Sequence, residues 1–204
     1  MKLYYMPGAC SLATHILLRE SGQTVELEKV GRDKKTETGA DYLSINPKGY
    51  VPALRMDDGD ILTENVVVQS YIADLRPGSN LAPPHGTKAR LKQDELAVYI
   101  STEIHKNYSP LFNPATPDEV KKAQQEKLQQ RYQLIEKQLG DGRPYLTGQN
   151  FATVDSYLFT VTRWAGNAGV DLSAFPNVLA FQKRVAERPA VHAAMEAEGL
   201  LKAA

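Results

Sequence analysis

The chain has a single cysteine among its 204 residues, so no disulfide can form within it. That excludes a disulfide-stapled design and suits a reducing compartment. It also excludes a dithiol redox cycle within one chain, because Pro7-Gly8-Ala9-Cys10 carries only the last member of a Cys-x-x-Cys pair. There is no surplus of charge: Lys+Arg and Asp+Glu are both 24, for a net charge of zero. Such a chain has no general attraction for nucleic acid or anionic membrane, and an anionic ligand must be held by a local site. No stretch approaches the ~18 apolar residues of a membrane-spanning helix, and Met1 to Pro7 carry no signal-peptide pattern. The expectation is a cytoplasmic protein with no nucleic-acid or membrane partner. The four histidines are scattered at positions 15, 85, 105 and 192, so no metal site is expected. No phosphate-binding glycine loop or Ser-His-Asp signature stands out.

What is present is the composition of a globular protein, 42% hydrophobic and 24% charged, long enough for one large domain or two small ones. Its character changes along the chain. Up to about residue 75, short β-like runs alternate with short helices; beyond about residue 87, helix follows helix. Between them, Arg76 to Thr87 holds three prolines and two glycines in twelve residues, a poor helix or strand and a good linker. The expected organisation is a first domain over 1–77, a linker over 78–86 and a second domain over 87–204.

Lys2 to Tyr5 reads as a strand ended by Pro7-Gly8. Ser11 can cap a helix through Leu12, Ile16, Leu17 and Leu18 that stops at Gly22. Thr24 to Val30 alternates, with Val25 and Leu27 on a buried face and Glu26 and Glu28 on a solvent face. A short helix over Asp41 to Ile45 is closed by Asn46-Pro47-Lys48-Gly49. Tyr50 to Met56 and Asp60 to Leu62 flank the hairpin signal Asp57-Asp58-Gly59, and a helix follows from Asn65 to Leu75. In the second part, helices are expected over Lys88 to Asn107, Pro117 to Leu139, Asp155 to Ala165, Pro176 to Glu187 and Pro189 to Glu198.

Four features carry chemistry. Cys10 lies between a strand and a helix, where the helix dipole and free backbone N–H groups favour a thiolate and lower the thiol pKa. The alternative is a small buried apolar residue, and position alone does not decide. Val51-Pro52 enters an apolar strand after a loop; a trans proline at a strand start is the ordinary reading, and a cis bond is the other. In Leu62-Thr63-Glu64-Asn65, Thr63 or Asn65 can cap the following helix with Glu64 in its first turn. The same arrangement can hold an amino-acid head group, N–H donors facing a carboxylate and Glu64 facing an ammonium. In Glu103-Ile104-His105-Lys106, His105 can orient or donate to a sulfur or carboxylate, with Tyr99 and Thr102 about a turn behind it; a plain surface histidine is the competing reading.

Taken together, these features resemble the bacterial beta-class glutathione transferases over nearly the whole chain. Met1 through Leu12 is very like that family's first strand and cysteine loop, and Asn46 through Leu54 is similar to its cis-proline segment. Leu62 to Asn65 resembles its γ-glutamyl site. Glu103 to Lys106 and Ser109-Pro110-Leu111-Phe112 resemble its long-helix motif, and Ala197-Glu198-Gly199-Leu200 its C-terminus. The resemblance implies a thioredoxin-like α/β N-terminal domain, an all-α C-terminal domain and a homodimer. It implies glutathione as co-substrate, conjugated to small hydrophobic electrophiles, with Cys10 able to hold glutathione as a mixed disulfide. Disulfide-reductase or peroxidase side activity follows, and a non-catalytic ligand-binding relative is the alternative.

The implied catalytic residues are Cys10, Ser11 and His105. The implied glutathione site adds Ala9, Lys34 (or Lys35), Val51, Pro52, Glu64, Asn65, Thr102 and Lys106. Tyr108, Phe112, Trp164 and Tyr157 would line the electrophile pocket, or simply be core. The sequence departs from the family pattern at Asn65, where a smaller residue is common, and the bulk is expected to shift the head group. Val98 replaces an asparagine that reaches the partner subunit, Leu96 a frequent tryptophan, and Ala152 a capping Ser or Thr. Asp155 is the reciprocal partner of that cap, so half of the capping box is missing, and Thr153 can cap one residue later.

Overall fold

The structure, a computed structural model, describes residues 1–201; the last three residues of the expected second domain lie outside the described residues. The chain forms two compact units. The first comprises residues 1–82 together with the described C-terminal stretch over 188–201, and the second comprises Pro83–Glu187.

In the first unit, β1 (Lys2–Tyr5), α1 (Ser11–Glu20), β2 (Glu26–Lys29), α2 (Tyr42–Ile45), β3 (Ala53–Arg55), β4 (Ile61–Thr63) and α3 (Asn65–Leu75) follow in order. The sheet runs β2-β1-β3-β4. β1 pairs parallel with β2 (Leu3 beside Leu27) and antiparallel with β3 (Tyr4 beside Ala53), and β3 pairs antiparallel with β4 (Leu54 beside Leu62). A parallel pair needs a crossover, which α1 supplies; an antiparallel pair needs only the Asp57-Asp58-Gly59 turn, with Gly59 at φ 95°. Helix α1 ends as the glycine predicts. Gly22 takes a left-handed conformation, its N–H donates to Arg19 O and the Gln23 N–H to Leu18 O. Leu3, Leu12, Ile16, Leu17, Leu54, Val68 and Ile72 are completely buried between sheet and helices.

The alternation in β2 is misread at one residue. Glu28, expected on the solvent face, is buried, while Leu27 is only half-buried. Its carboxylate accepts from the Thr38 hydroxyl at 2.6 Å, the Thr38 N–H at 3.3 Å and Lys2 Nζ at 3.4 Å. These donors, the Thr38 hydroxyl foremost, hold its pKa below the ordinary value. The loop after β2 covers this edge and supplies the partners that make burial of the charge tolerable.

The second unit is helical: α4 (Lys88–Tyr99), α5 (Ser109–Phe112), α6 (Asp118–Leu139), α7 (Thr153–Thr162) and α8 (Pro176–Ala186). The single helix expected over Lys88 to Asn107 is not regular. After Tyr99 it widens to a π-helical stretch, Ile100–His105, tightens to a 3-10 turn, Lys106–Tyr108, and resumes as α5. Pro110 explains part of this, since it has no N–H for Lys106 O and its ring crowds that carbonyl. Helix α7 starts at Thr153, two residues before expectation. Its Asp155 accepts from the N–H groups of Ala152 (2.7 Å) and Leu146 (2.8 Å), the half of the capping box that survives without a Ser or Thr at 152. Thr153 does not take over as cap; its hydroxyl accepts from Gln93 Nε2 at 2.8 Å.

The domain boundaries expected from the sequence are corrected at the C-terminus. Helix α9 (Pro189–Ala197) belongs to the first unit. Arg188 makes a forked ion pair with Glu20 of α1 at 2.6 and 2.8 Å, and Glu198 pairs with buried His15 of the same helix at 3.0 Å. Proximity in sequence to α8 concealed a helix whose ionic partners lie at the other end of the chain. Among the described residues, no helix is long and apolar enough to cross a membrane and no group of metal-ligating side chains occurs.

Candidate active site

Cys10 stands at the N-cap of α1 without capping it by its side chain. The loop before it is tied internally. The Met6 N–H donates to Ser11 Oγ at 3.2 Å, Ser11 Oγ donates back to Met6 O at 3.3 Å, and the Ala9 N–H reaches Met6 O at 3.0 Å. Ser11 is therefore the first helical residue and not the expected cap, and its buried hydroxyl is turned onto Met6.

The Cys10 thiol donates to Val51 O at 3.0 Å. Burial pushes the thiol up to about 12, against the pull of the Cys10 and Ser11 N–H groups; the Glu64 carboxylate adds to the rise. The expectation of a lowered pKa is thus reversed here, because desolvation outweighs the helix terminus.

Val51-Pro52 is a cis peptide bond, the reading that the residues alone did not favour. The strand entry before it is held on both sides. Tyr50 O accepts from the Tyr42 hydroxyl at 2.7 Å and from Asn46 Nδ2 at 2.8 Å. Lys34, left-handed at φ 63°, sends Nζ to Gly49 O at 2.7 Å, which favours it over Lys35 as the cation of this loop. A lysine has three donors, so Nζ keeps capacity for an anion beside that carbonyl.

Glu64 is the N-cap residue of α3, at φ 70°, and no side chain caps the first turn. Neither Thr63 nor Asn65 plays the capping part expected of it. A left-handed glutamate is strained by ~1–3 kcal/mol, which the surrounding structure must offset. The exposed Glu64 carboxylate pairs with Lys48 Nζ at 2.8 Å, and the same ammonium donates to Thr63 Oγ1 at 2.9 Å. Asn65 points inward: its Oδ1 accepts from Thr14 Oγ1 at 2.8 Å and its Nδ2 donates to Cys10 O at 3.2 Å. The expectation that its bulk displaces a head group is therefore corrected.

In the second unit, His105 Nδ1 lies 2.7 Å from the Tyr157 hydroxyl, and its ring meets Trp164 edge-on at 5.1 Å between centroids. Burial, with Lys106 adding repulsion, lowers its pKa to about 4, so His105 is neutral at pH 7. It is not a plain surface histidine. Trp164 also packs edge-on against Tyr108 and Phe112, and Phe112 stacks on Tyr108. Tyr108 is fully buried, with its hydroxyl 3.0 Å from that of Tyr132, whereas Phe112 is half exposed. The other positions named on this stretch face outward: Thr102 is exposed with its hydroxyl on Val98 O, and Lys106 is exposed. Leu96 is buried and Val98 exposed.

The sequence reading missed Tyr42, Asn46 and Lys48, which fix the Val51 entry and meet Glu64. Asn46 and Lys48 sat in a turn already noted for its proline and glycine; Tyr42 gave no signal beyond an apolar position in a short helix.

A thioredoxin-like α/β unit with a cysteine at its first helix start, a cis-proline strand opposite and a helical second unit define the class of glutathione transferases. The family models agree: "Glutathione S-transferase, N-terminal domain" matches residues 1–74 and "Glutathione S-transferase, C-terminal domain" residues 99–189. The chain belongs to the glutathione S-transferase family, an enzyme family, and is beta-class-like. It is 47% identical over 201 residues to glutathione S-transferase GstA of Escherichia coli O157:H7, covering 98% of this chain and 100% of that protein. The solved structure of a sphingomonad glutathione S-transferase complexed with glutathione is 44% identical, with TM-score 0.94 over 98% of this chain and 100% of that one. The bacterial beta-class enzyme of Sphingomonas chungbukensis is 43% identical, with the same TM-score and coverage.

Proposed function

We propose that this protein binds glutathione on its first unit and transfers it to small apolar electrophiles. The observation that carries this reading is the Cys10 thiol on the Val51 carbonyl, next to the cis bond to Pro52 and flanked by Lys34 and Glu64. Glutathione has two carboxylates, one ammonium and one thiol. Lys34 answers the glycyl carboxylate, the uncapped first turn of α3 the γ-glutamyl carboxylate, and Glu64 the ammonium. The Asn65 contribution is its backbone N–H, since its side chain is engaged inside. Val51 pairs by backbone with the cysteinyl part. The glutathione bound in the sphingomonad complex supports the same ligand here by similarity alone.

In conjugation the glutathione thiol loses its proton, its sulfur attacks the electrophilic carbon and the leaving group departs with the bonding pair. The high pKa of the Cys10 thiol supports a role beside that sulfur and not as the attacking nucleophile. In the second activity, the Cys10 thiolate attacks the glutathionyl sulfur of a mixed disulfide, forming Cys10–S–SG and expelling the other thiol. A second glutathione thiolate then attacks this bond, giving oxidised glutathione and restoring Cys10. His105, neutral beside Tyr157 and Trp164, is read with Ser11 as a supporting group, and Thr102 and Lys106 as outlying contacts. The apolar cluster of Tyr108, Phe112 and Trp164 is read as the electrophile wall. A homodimer in the cytoplasm completes the reading, and sedimentation of the purified protein checks its oligomeric part.

The test is a steady-state panel of an aryl halide, a peroxide and a mixed disulfide, each with glutathione. Cys10→Ala should abolish disulfide reduction and spare most conjugation; equal loss of both contradicts the division of roles. Failure of the unmutated protein to be retained on immobilised glutathione favours the non-catalytic alternative.

A further inference from the structure

The C-terminal motif Ala197-Glu198-Gly199-Leu200 has no part in the function proposed above, yet the structure turns it onto the cysteine loop. Helix α9 ends in a Schellman turn. Gly199 is left-handed at φ 68°, its N–H donates to Glu196 O at 2.9 Å and the Leu200 N–H to Met195 O at 2.8 Å. This turn directs two side chains at Gly8. Glu198 Oε2 accepts from the Gly8 N–H at 2.9 Å, and Leu200 lies so close that a Cβ on Gly8 would stand 3.3 Å from its Cδ2.

The carboxylate is itself fixed. Glu198 Oε1 lies 3.0 Å from His15 Nδ1, and both side chains are essentially without solvent exposure. Arg19 Nε donates to His15 Nε2 at 3.0 Å, so Nε2 accepts and Nδ1 carries the proton given to Glu198. A buried carboxylate with two charge-assisted partners is held in one geometry. The loop it grips is short: Gly8 is two residues from Cys10, and the internal bonds from Met6 to Ser11 pass any displacement of Gly8 on to the thiol.

We propose that Glu198, with Leu200 beside it, is a positioning residue for Cys10. The C-terminal turn sets the conformation of the Gly8–Cys10 loop, and through it the shielding of the thiol and the fit of the ligand that thiol faces. The part of this inference that concerns glutathione rests on the function proposed above.

The experiment measures alkylation of Cys10 by iodoacetamide at pH 8 in folded protein, KM and kcat for glutathione, and the melting temperature. In Glu198→Ala the alkylation rate should rise about fivefold or more, the factor expected from losing a charge-assisted hydrogen bond. KM for glutathione should rise with it, with kcat changed less. Glu198→Gln keeps an acceptor for the Gly8 N–H and gives up the His15 contact, since Arg19 holds Nε2 as the acceptor and leaves Nδ1–H facing the amide; this variant should restore the slow alkylation with a lowered melting temperature. Arg188→Met loosens the start of α9 without touching Gly8 and should lower the melting temperature alone. Should Glu198→Ala fail to fold, Leu200→Ala removes the other contact to Gly8 and is expected to raise alkylation in the same direction. The proposal is overturned if Glu198→Ala (or, in its place, Leu200→Ala) changes only the melting temperature, or if Arg188→Met accelerates alkylation equally. If the unmutated protein shows no saturable use of glutathione, the proposed function fails while the alkylation arm still decides this inference.

Discussion

The Cys10 thiol donates to the Val51 carbonyl oxygen across 3.0 Å, joining the start of α1 to the loop that enters β3. Cys10 is part-buried, and its sulfur has its proton committed to an acceptor in desolvating surroundings. Both disfavour the thiolate, and the helix start does not compensate.

The first prediction follows from a thiol pushed up to about 12. Relative to an ordinary thiol near 9.0, the thiolate fraction at pH 7.5 is lower by about three orders of magnitude. The greater nucleophilicity of a more basic thiolate returns about half of that on a logarithmic scale, leaving alkylation about thirtyfold slower than for a free thiol. The rate should climb with pH beyond 10 without a plateau. Since the folded state holds the proton more tightly than the unfolded one, stability from this group is lost as pH rises from about 9 to about 12. Rapid alkylation at pH 7 with a plateau below pH 8 would contradict the arrangement.

Asn65 gives the second prediction. Its side chain bridges the Thr14 hydroxyl and the Cys10 carbonyl inside the first unit. Asn65→Ala leaves both without their partner and should cost about 2 kcal/mol, or roughly 4–8 °C in melting temperature for a chain of this size. KM for glutathione should change by less than about twofold, because the proposed contact is the backbone N–H, which alanine retains. A large rise in KM with an unchanged melting temperature would instead put the side chain on the ligand.

The residues that position this site were unequally legible. Gly22, Gly59 and Pro117 mark turns and helix starts by their own backbone chemistry, and the structure uses them so. Glu28 was misplaced because strand alternation counts an acid as a solvent-facing residue, and nothing local shows that Thr38 will fold over it. Ser11 read as a cap because hydroxyls at helix starts usually cap; the tight loop from Met6 offered it a nearer partner. The interruption after Tyr99 was hidden since a π-helical stretch keeps the composition of an α-helix. The placing of α9 depended on pairs such as Glu20 with Arg188, 168 residues apart, which periodicity cannot see.

A third prediction concerns Lys48 and Glu64. Both side chains are more than half exposed, so their ion pair contributes at most about 1 kcal/mol to stability. In the proposed function, however, Lys48 occupies the carboxylate meant for the ligand ammonium. Lys48→Met should leave the melting temperature within a few degrees and lower KM for glutathione, while Glu64→Gln should raise KM about tenfold, the loss of a charge-assisted contact. If Lys48→Met raises KM as much as Glu64→Gln does, the lysine binds the ligand itself and the competition argument fails.

His105 carries the last prediction, and it is one of pH. Burial, then repulsion from Lys106, lowers its pKa from 6.5 to about 4. The neutral ring shares a hydrogen bond of 2.7 Å between Nδ1 and the Tyr157 hydroxyl and packs between Tyr157 and Trp164. As pH falls from about 6.5 to about 4, the unfolded chain takes up a proton that the folded ring refuses, so stability falls through that window. The loss amounts to about 2–3 kcal/mol once pH reaches the lower end. His105→Gln has no proton to gain, so it should lose stability at pH 7 through the missing Tyr157 contact yet show a flatter acid limb. Urea midpoints at pH 7.0 and pH 4.5 for both proteins measure this. A parent and variant that lose equal stability between the two pH values would show that His105 titrates alike in the folded and unfolded chain.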